Sequence, residues 1–148
     1  MIDLLHILLP HAPLAMAIPF VVGHCDVPCG IYTPEPMQTA AKTVLVMVQK
    51  LNALPIEADR NMDSQANFVR MVETKEEHAQ ICKEQLLILW TDYFKPEHLA
   101  QFPNLHTTFW EAAKLCSENK QHIDIASANK LVETTNRIAD MFYQTKKA

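Results

Sequence analysis

The sequence predicts an all-α protein: an antiparallel (up-down-up-down) four-helix bundle with an N-terminal metal-binding hook. Three observations predict it. Glycine occurs only as Gly23 and Gly30, and a long glycine-free stretch favours helices. Apolar residues recur at intervals of three and four through most of residues 35–146, the period of a helix with one buried face. A histidine and two cysteines crowd into "HCDVPC", residues 24–29, ahead of the first periodic segment. The chain has 148 residues and is 49% apolar, enough for one domain with a real core.

The elements follow in order. Residues 1–23, "MIDLLHILLPHAPLAMAIPFVVG", are apolar and carry Asp3 as their only formal charge. A membrane span needs about 20 apolar residues, and here Pro10, Pro13, Pro19, His6 and His11 interrupt the run. A secretory signal has a basic n-region, which is missing, although the apolar character leaves export through this leader open. The segment reads as a leader removed on maturation. Residues 24–32 form the hook, and the domain runs over 24–148, with its bundle over 35–146.

Pro34 and Pro36 mark a turn and a helix start. Met37, Ala41, Val44, Met47, Val48 and Leu51 then define a helix over 35–52. A polar connector leads to a longer helix carrying Phe68, Met71, Val72, Ala79, Cys82, Leu86, Leu89 and Tyr93, stopped at Lys95-Pro96. "PEHLAQF" predicts a short helical turn. Pro103 opens the third long helix, with Leu105, Phe109, Ala112, Ala113 and Cys116 inward, and "SENKQH" is expected as the next connector. Asp124 is expected to cap the last helix, which carries Ile125, Ala128, Leu131, Ile138, Met141 and Phe142. Lys146 and Lys147 lie where the helix dipole favours cations. Trp90 and Phe94 are expected either at subunit contacts or in the chain's own core.

The formal net charge is −4 without a basic block, which argues against a nucleic-acid partner, and stable membrane association is not expected. Cys82 and Cys116 read as isolated, small, buried apolar residues. With the other two cysteines in the hook there is no disulfide framework, and a reducing, cytoplasmic compartment fits best.

The hook admits several readings. A chance cluster is the plainest. A thiol redox pair prefers C-x-x-C, whereas Cys25 and Cys29 are spaced C-x-x-x-C. Structural zinc takes four ligands, and only three obvious side chains are present. Cutting the Gly23–His24 bond changes the chemistry. His24 then offers a free α-amine, Cys25 a thiolate and its backbone nitrogen, and Cys29 a second thiolate. Two nitrogens and two sulfurs in one plane suit Ni(II) or Cu(II) better than zinc, with the His24 imidazole free to cap the plane. Such strong donors stabilise a higher oxidation state, so the metal can cycle by one electron. An amide nitrogen is a poor ligand and an amine with a pKa near 8 a good one. The leader therefore masks the site until it is cleaved. A metal-delivery protein using such a hook, or a zinc-stabilised helical module, are the non-enzymatic alternatives.

"HCDVPCGIY" resembles the N-terminal hook of nickel-containing superoxide dismutases, which has the form H-C-D-x-P-C-G-x-Y. "LWTDYFKPEHL", residues 89–99, and the C-terminal "TKKA" extend the resemblance over residues 24–148. It implies an enzyme that converts superoxide into oxygen and hydrogen peroxide, with one nickel ion (Ni2+/Ni3+) per subunit, a four-helix bundle, a homohexamer and a dedicated maturation protease. It implies that His24, Cys25 and Cys29 are the metal ligands and that Asp26 and Tyr32 shape the pocket, Tyr32 close to the open metal face. It also implies a cis bond at Val27–Pro28 that turns the chain back on the metal. The family's glutamate and arginine that hold the axial imidazole fall at Ala40 and His78, so His78 or Glu77 is the substitute to consider. Tyr93 and Lys95 lie in the shared "DYFKP" segment as further candidates near the site, Lys95 for local steering of the anion.

Overall fold

The computed structural model describes residues 27–28, 30–54 and 61–147. The leader, His24, Cys25, Asp26 and Cys29 lie outside the described residues. The elements are α1 (Glu35–Asn52), α2 (Met62–Ile88), a π-helical turn (Leu89–Tyr93), the short α3 (His98–Gln101), α4 (Leu105–Gln121) and α5 (Ile125–Thr145). No strand occurs among the described residues.

The four long helices close into a ring in which α1 packs on α2, α2 on α4, α4 on α5, and α5 back on α1. Side-chain hydrogen bonds show that neighbours run antiparallel. At one seam Gln38 near the start of α1 bonds Asn136 of α5 (2.8 Å), while Tyr143 at the end of α5 donates to Glu35. At another, Lys83 of α2 donates to Ser117 of α4 (3.1 Å) and Trp90 donates to His106 (2.8 Å). The predicted bundle is the observed one.

Local chemistry starts and stops these helices. Pro34 and Pro36 preset the first turn of α1, and Glu35 lies where the helix dipole favours an anion. The Asn61 side chain accepts from the Ser64 N–H (2.8 Å), and Asp124 accepts from the Ala126 N–H (2.8 Å), the cap expected for α5. The core is built from Met37, Val44, Val48, Leu86, Phe109, Leu131, Ile138 and Phe142, each at most 1% exposed. Each such aliphatic or aromatic side chain contributes about 1.5–3 kcal/mol by leaving water.

Four local expectations need correction. "SENKQH" is not a connector: α4 runs to Gln121, because Asn119 is buried and its amide donates to the Leu115 carbonyl (2.9 Å) and to Ser127 Oγ (3.0 Å), tying α4 to α5. Phe68 is not core but 45% exposed. At 27 residues α2 is far longer than α1 or α4, and none of its residues before Met71 is buried. Ile125 is likewise exposed, in the first turn of α5. The Val27–Pro28 bond is not cis, since no cis peptide occurs among the described residues; trans is the intrinsically preferred isomer even before proline. Trp90 and Phe94 fill the chain's own core: Phe94 is buried, and Trp90 stacks on Phe109 at 5.8 Å.

Lys75 is the unexpected core residue. It is 1% exposed, and its ammonium donates to the carbonyls of Asn119 (2.5 Å), Lys120 (3.0 Å) and His122 (3.2 Å). A helix leaves its last carbonyls without partners. Lys75 on α2 supplies them for α4, with all three ammonium donors engaged. Burial nevertheless pushes its pKa down, an effect partly offset by Glu76.

Candidate metal centre and its pocket

The chain enters the bundle through a turn at the base of the hook. The Pro28 carbonyl accepts from the Ile31 N–H (3.3 Å), and Gly30 between them has φ +97°, a conformation that L side chains rarely adopt. The turn sends Tyr32 inward, where its side chain is 7% exposed. Its ring packs on Tyr93 with centroids 5.8 Å apart. The Lys146 ammonium lies 3.4 Å from the Tyr32 carbonyl and 4.6 Å from the centre of the Phe142 ring.

Tyr93 is set by the π turn. At this point α2 widens and the Phe94 N–H reaches back to the Leu89 carbonyl (3.1 Å). Pro96 bars helical geometry at Lys95, so Phe94 is already extended. The Tyr93 ring lies 4.4 Å from Phe142 and 5.1 Å from Phe94, and its hydroxyl meets Thr145 at 2.6 Å. Inserted π turns often occur at functional sites.

Between these elements lies a cavity of ≈ 330 Å³ lined by Gly30, Tyr32, Asp92, Tyr93, Lys95, His98 and Lys146. Two lysines face one aspartate there, so a locally cationic opening exists on an acidic protein. His98 accepts from the Lys95 N–H through Nδ1 (3.1 Å), and its ring lies near-parallel to Tyr93 at 6.0 Å. This geometry orders the Lys95 backbone at the rim.

Tyr32 and the Tyr93–Lys95 segment, chosen from separate parts of the sequence, thus come together. His78 does not line this cavity. It sits half-buried in mid-α2, its Nδ1 2.9 Å from the Thr74 carbonyl, and 15 residues of helix put it roughly 22 Å from Tyr93 along the axis. Ala40, at the family's glutamate position, is buried in α1. Pro28 is exposed at the hook turn. Sequence reasoning missed Lys146, His98 and Asp92 as pocket residues. Lys146 carried a helix-dipole signal and a place in the quoted "TKKA", and His98 stood unremarked inside the quoted "LWTDYFKPEHL".

The helical ring and a tyrosine-lined pocket carrying two lysines, in a chain whose sequence places a histidine–cysteine segment just before it, define a small helical protein with a cavity suited to an anion. The family model for nickel-containing superoxide dismutase matches residues 19–146, and the chain belongs to that family. It is 37% identical over 129 residues to superoxide dismutase (Ni) of Streptomyces seoulensis, covering 86% of this chain and 92% of the relative. To that of Streptomyces coelicolor it is 32% identical over 128 residues, with the same coverage. A crystal structure of a Ni-containing superoxide dismutase, after partial X-ray-induced reduction, superposes with a TM-score of 0.72 at 36% identity, covering 84% of this chain and all of that one. A native nickel superoxide dismutase structure gives 0.72 at 32% identity with the same coverage. The protein is therefore a nickel enzyme acting on superoxide. Among the described residues no helix is long and apolar enough to cross a membrane.

Proposed function

We propose that the nickel is held by His24, Cys25 and Cys29 after the chain has been cut between Gly23 and His24. The donor set fits: two thiolates, an amine and a backbone nitrogen suit a tetragonal soft site. One observation carries the assignment of the thiols. Cys82 and Cys116 are both enclosed in the core, which leaves Cys25 and Cys29 as the thiols available to a metal. Bound there, nickel supplies the one-electron Ni2+/Ni3+ cycling that dismutation requires.

The rest of the chain controls what reaches the hook. Gly30 and Tyr32 tie its base to the cavity, and Asp26 and Pro28 shape the hook itself. The Lys95 and Lys146 ammoniums draw a small anion toward the opening, while the packed Tyr32 and Tyr93 rings narrow it against larger molecules. His78 is assigned no contact in this cavity, although it occupies the family's arginine position.

The leader, residues 1–23, is a propeptide removed by a dedicated protease. In support, solved relatives are covered completely by 84% of this chain, the share left when residues 1–23 are removed. The mature chain, residues 24–148, assembles as a homohexamer in the cytoplasm. The exposed Trp110, Met62 and Val69 are apolar groups that contacts between copies would cover.

The test is elemental analysis and intact-mass measurement of the purified active protein, alongside a superoxide-decay assay. One nickel per chain beginning at His24 is expected. Full activity in chains that retain Gly23, or in a protein holding zinc alone, overturns the reading.

A further inference from the structure

Cys82 of α2 and Cys116 of α4 are free thiols, each fully buried. The sequence presents them as isolated core residues, but the fold makes them neighbours. The antiparallel register of the two helices is fixed on either side of the pair, where Lys120 donates to Gln80 at 2.8 Å and Trp90 to His106 at 2.8 Å. That register sets Cys82 opposite Cys116. Both side chains belong to one buried core cluster, and hydrogen bonding to Cys116, then burial, pushes the Cys82 thiol up.

We propose that Cys82 and Cys116 form a redox-modification site that closes under hydrogen peroxide to an intrachain disulfide stapling α2 to α4. A local opening of the α2–α4 seam lets one thiol lose its proton. The thiolate sulfur attacks a peroxide oxygen and the O–O bond breaks. The products are a sulfenic acid and hydroxide, which takes up the released proton as water. The second thiol then displaces the sulfenic hydroxyl, the S–S bond forms, and a second water leaves. Two thiols lose two electrons and two protons, and one peroxide becomes two waters. Superoxide dismutation makes peroxide, so the enzyme's own product is the oxidant. Buried protonated thiols are slow nucleophiles, so closure follows the rate of seam opening rather than turnover. The facing partner captures the sulfenic acid before further, irreversible oxidation.

The test adds hydrogen peroxide directly to the nickel-loaded enzyme, so its outcome does not depend on the assignment of the hook. The protein is then alkylated and digested with trypsin without reduction. Lys75 and Lys83 place Cys82 on the peptide 76–83, and Lys114 and Lys120 place Cys116 on 115–120. The expected product is a linked pair two hydrogens lighter than the sum, reversed by dithiothreitol and absent from Cys82→Ala and Cys116→Ala. Oxidised protein should melt roughly 10 °C higher than reduced protein, as for a disulfide closing a loop of this size, and neither variant should show the rise. Recovery of both cysteines alkylated after peroxide has abolished the enzyme's activity overturns the proposal. So does their recovery as separate sulfinic or sulfonic acids, or bridged to Cys25 or Cys29. A bridge that lowers the melting temperature overturns the stapling role.

Discussion

Tyr93 donates its phenolic proton to Thr145. The two oxygens lie 2.6 Å apart, and the single Thr145 hydroxyl proton is already given to the Phe142 carbonyl at 2.7 Å. The Tyr93 proton is therefore committed to Thr145 of α5. Attraction of an anion falls to Lys95 and Lys146, which line the same space.

Tyr93→Phe should accordingly cost about 1 kcal/mol of stability, the worth of one side-chain hydrogen bond, with turnover largely kept. Thr145→Val should cost a similar amount. Lys95→Ala and Lys146→Ala should instead lower kcat/KM and weaken its dependence on ionic strength. Thermal melts and salt-dependent superoxide decay separate the two groups. A large turnover loss in Tyr93→Phe, with both lysine variants unchanged, contradicts this division.

The cysteines should divide as sharply. Cys25→Ser and Cys29→Ser should each lose nickel and activity, because a hydroxyl is a harder and far less acidic donor. Cys82→Ala and Cys116→Ala should keep nickel and lose about 1–2 kcal/mol of stability through the small void left in the core. Metal content per chain is the readout, and nickel loss from either core variant refutes the assignment.

His24→Gln should retain nickel but lose most turnover. The amine and the thiolates of the proposed donor set survive that change, while the imidazole, which would support the oxidised metal, is removed. Loss of the metal together with the activity counts against the proposed in-plane set.

Tyr32 is expected to act as a gate. Its ring is buried against Tyr93, so Tyr32→Ala should open the cavity and hasten inactivation by peroxide, while Tyr32→Phe keeps the ring and most of the turnover. Tyr32→Phe should also bind azide more weakly, having lost a hydroxyl. The measurement sets inactivation rate beside turnover for both variants. Equal inactivation of Tyr32→Ala and the parent leaves Tyr32 a packing residue.

Lys75→Met should destabilise the bundle by at least about 2 kcal/mol, because carbonyls at the end of α4 lose their buried donor. The site lies away from the cavity, so nickel content should be unaffected. Chemical denaturation checks the first statement and elemental analysis the second.

Helix existence and boundaries were legible in the sequence where periodicity and capping agreed. Met37 to Leu51 with Pro34 and Pro36 specify α1, and Asp124 starts α5, because these are local consequences of backbone geometry. The types and spacing of His24, Cys25 and Cys29 state which donors one short segment offers, and the proposed hook rests on them alone. What required the tertiary structure is everything set by register between helices. Lys75 reads as a solvated charge until α2 packs on the end of α4. Cys82 and Cys116 read as separate core positions until the same seam sets them face to face. Tyr32, the Tyr93–Lys95 segment and Lys146 lie far apart along the chain, and no local propensity joins them. They meet because the antiparallel ring brings the end of α2, the start of α1 and the end of α5 together at one end of the bundle.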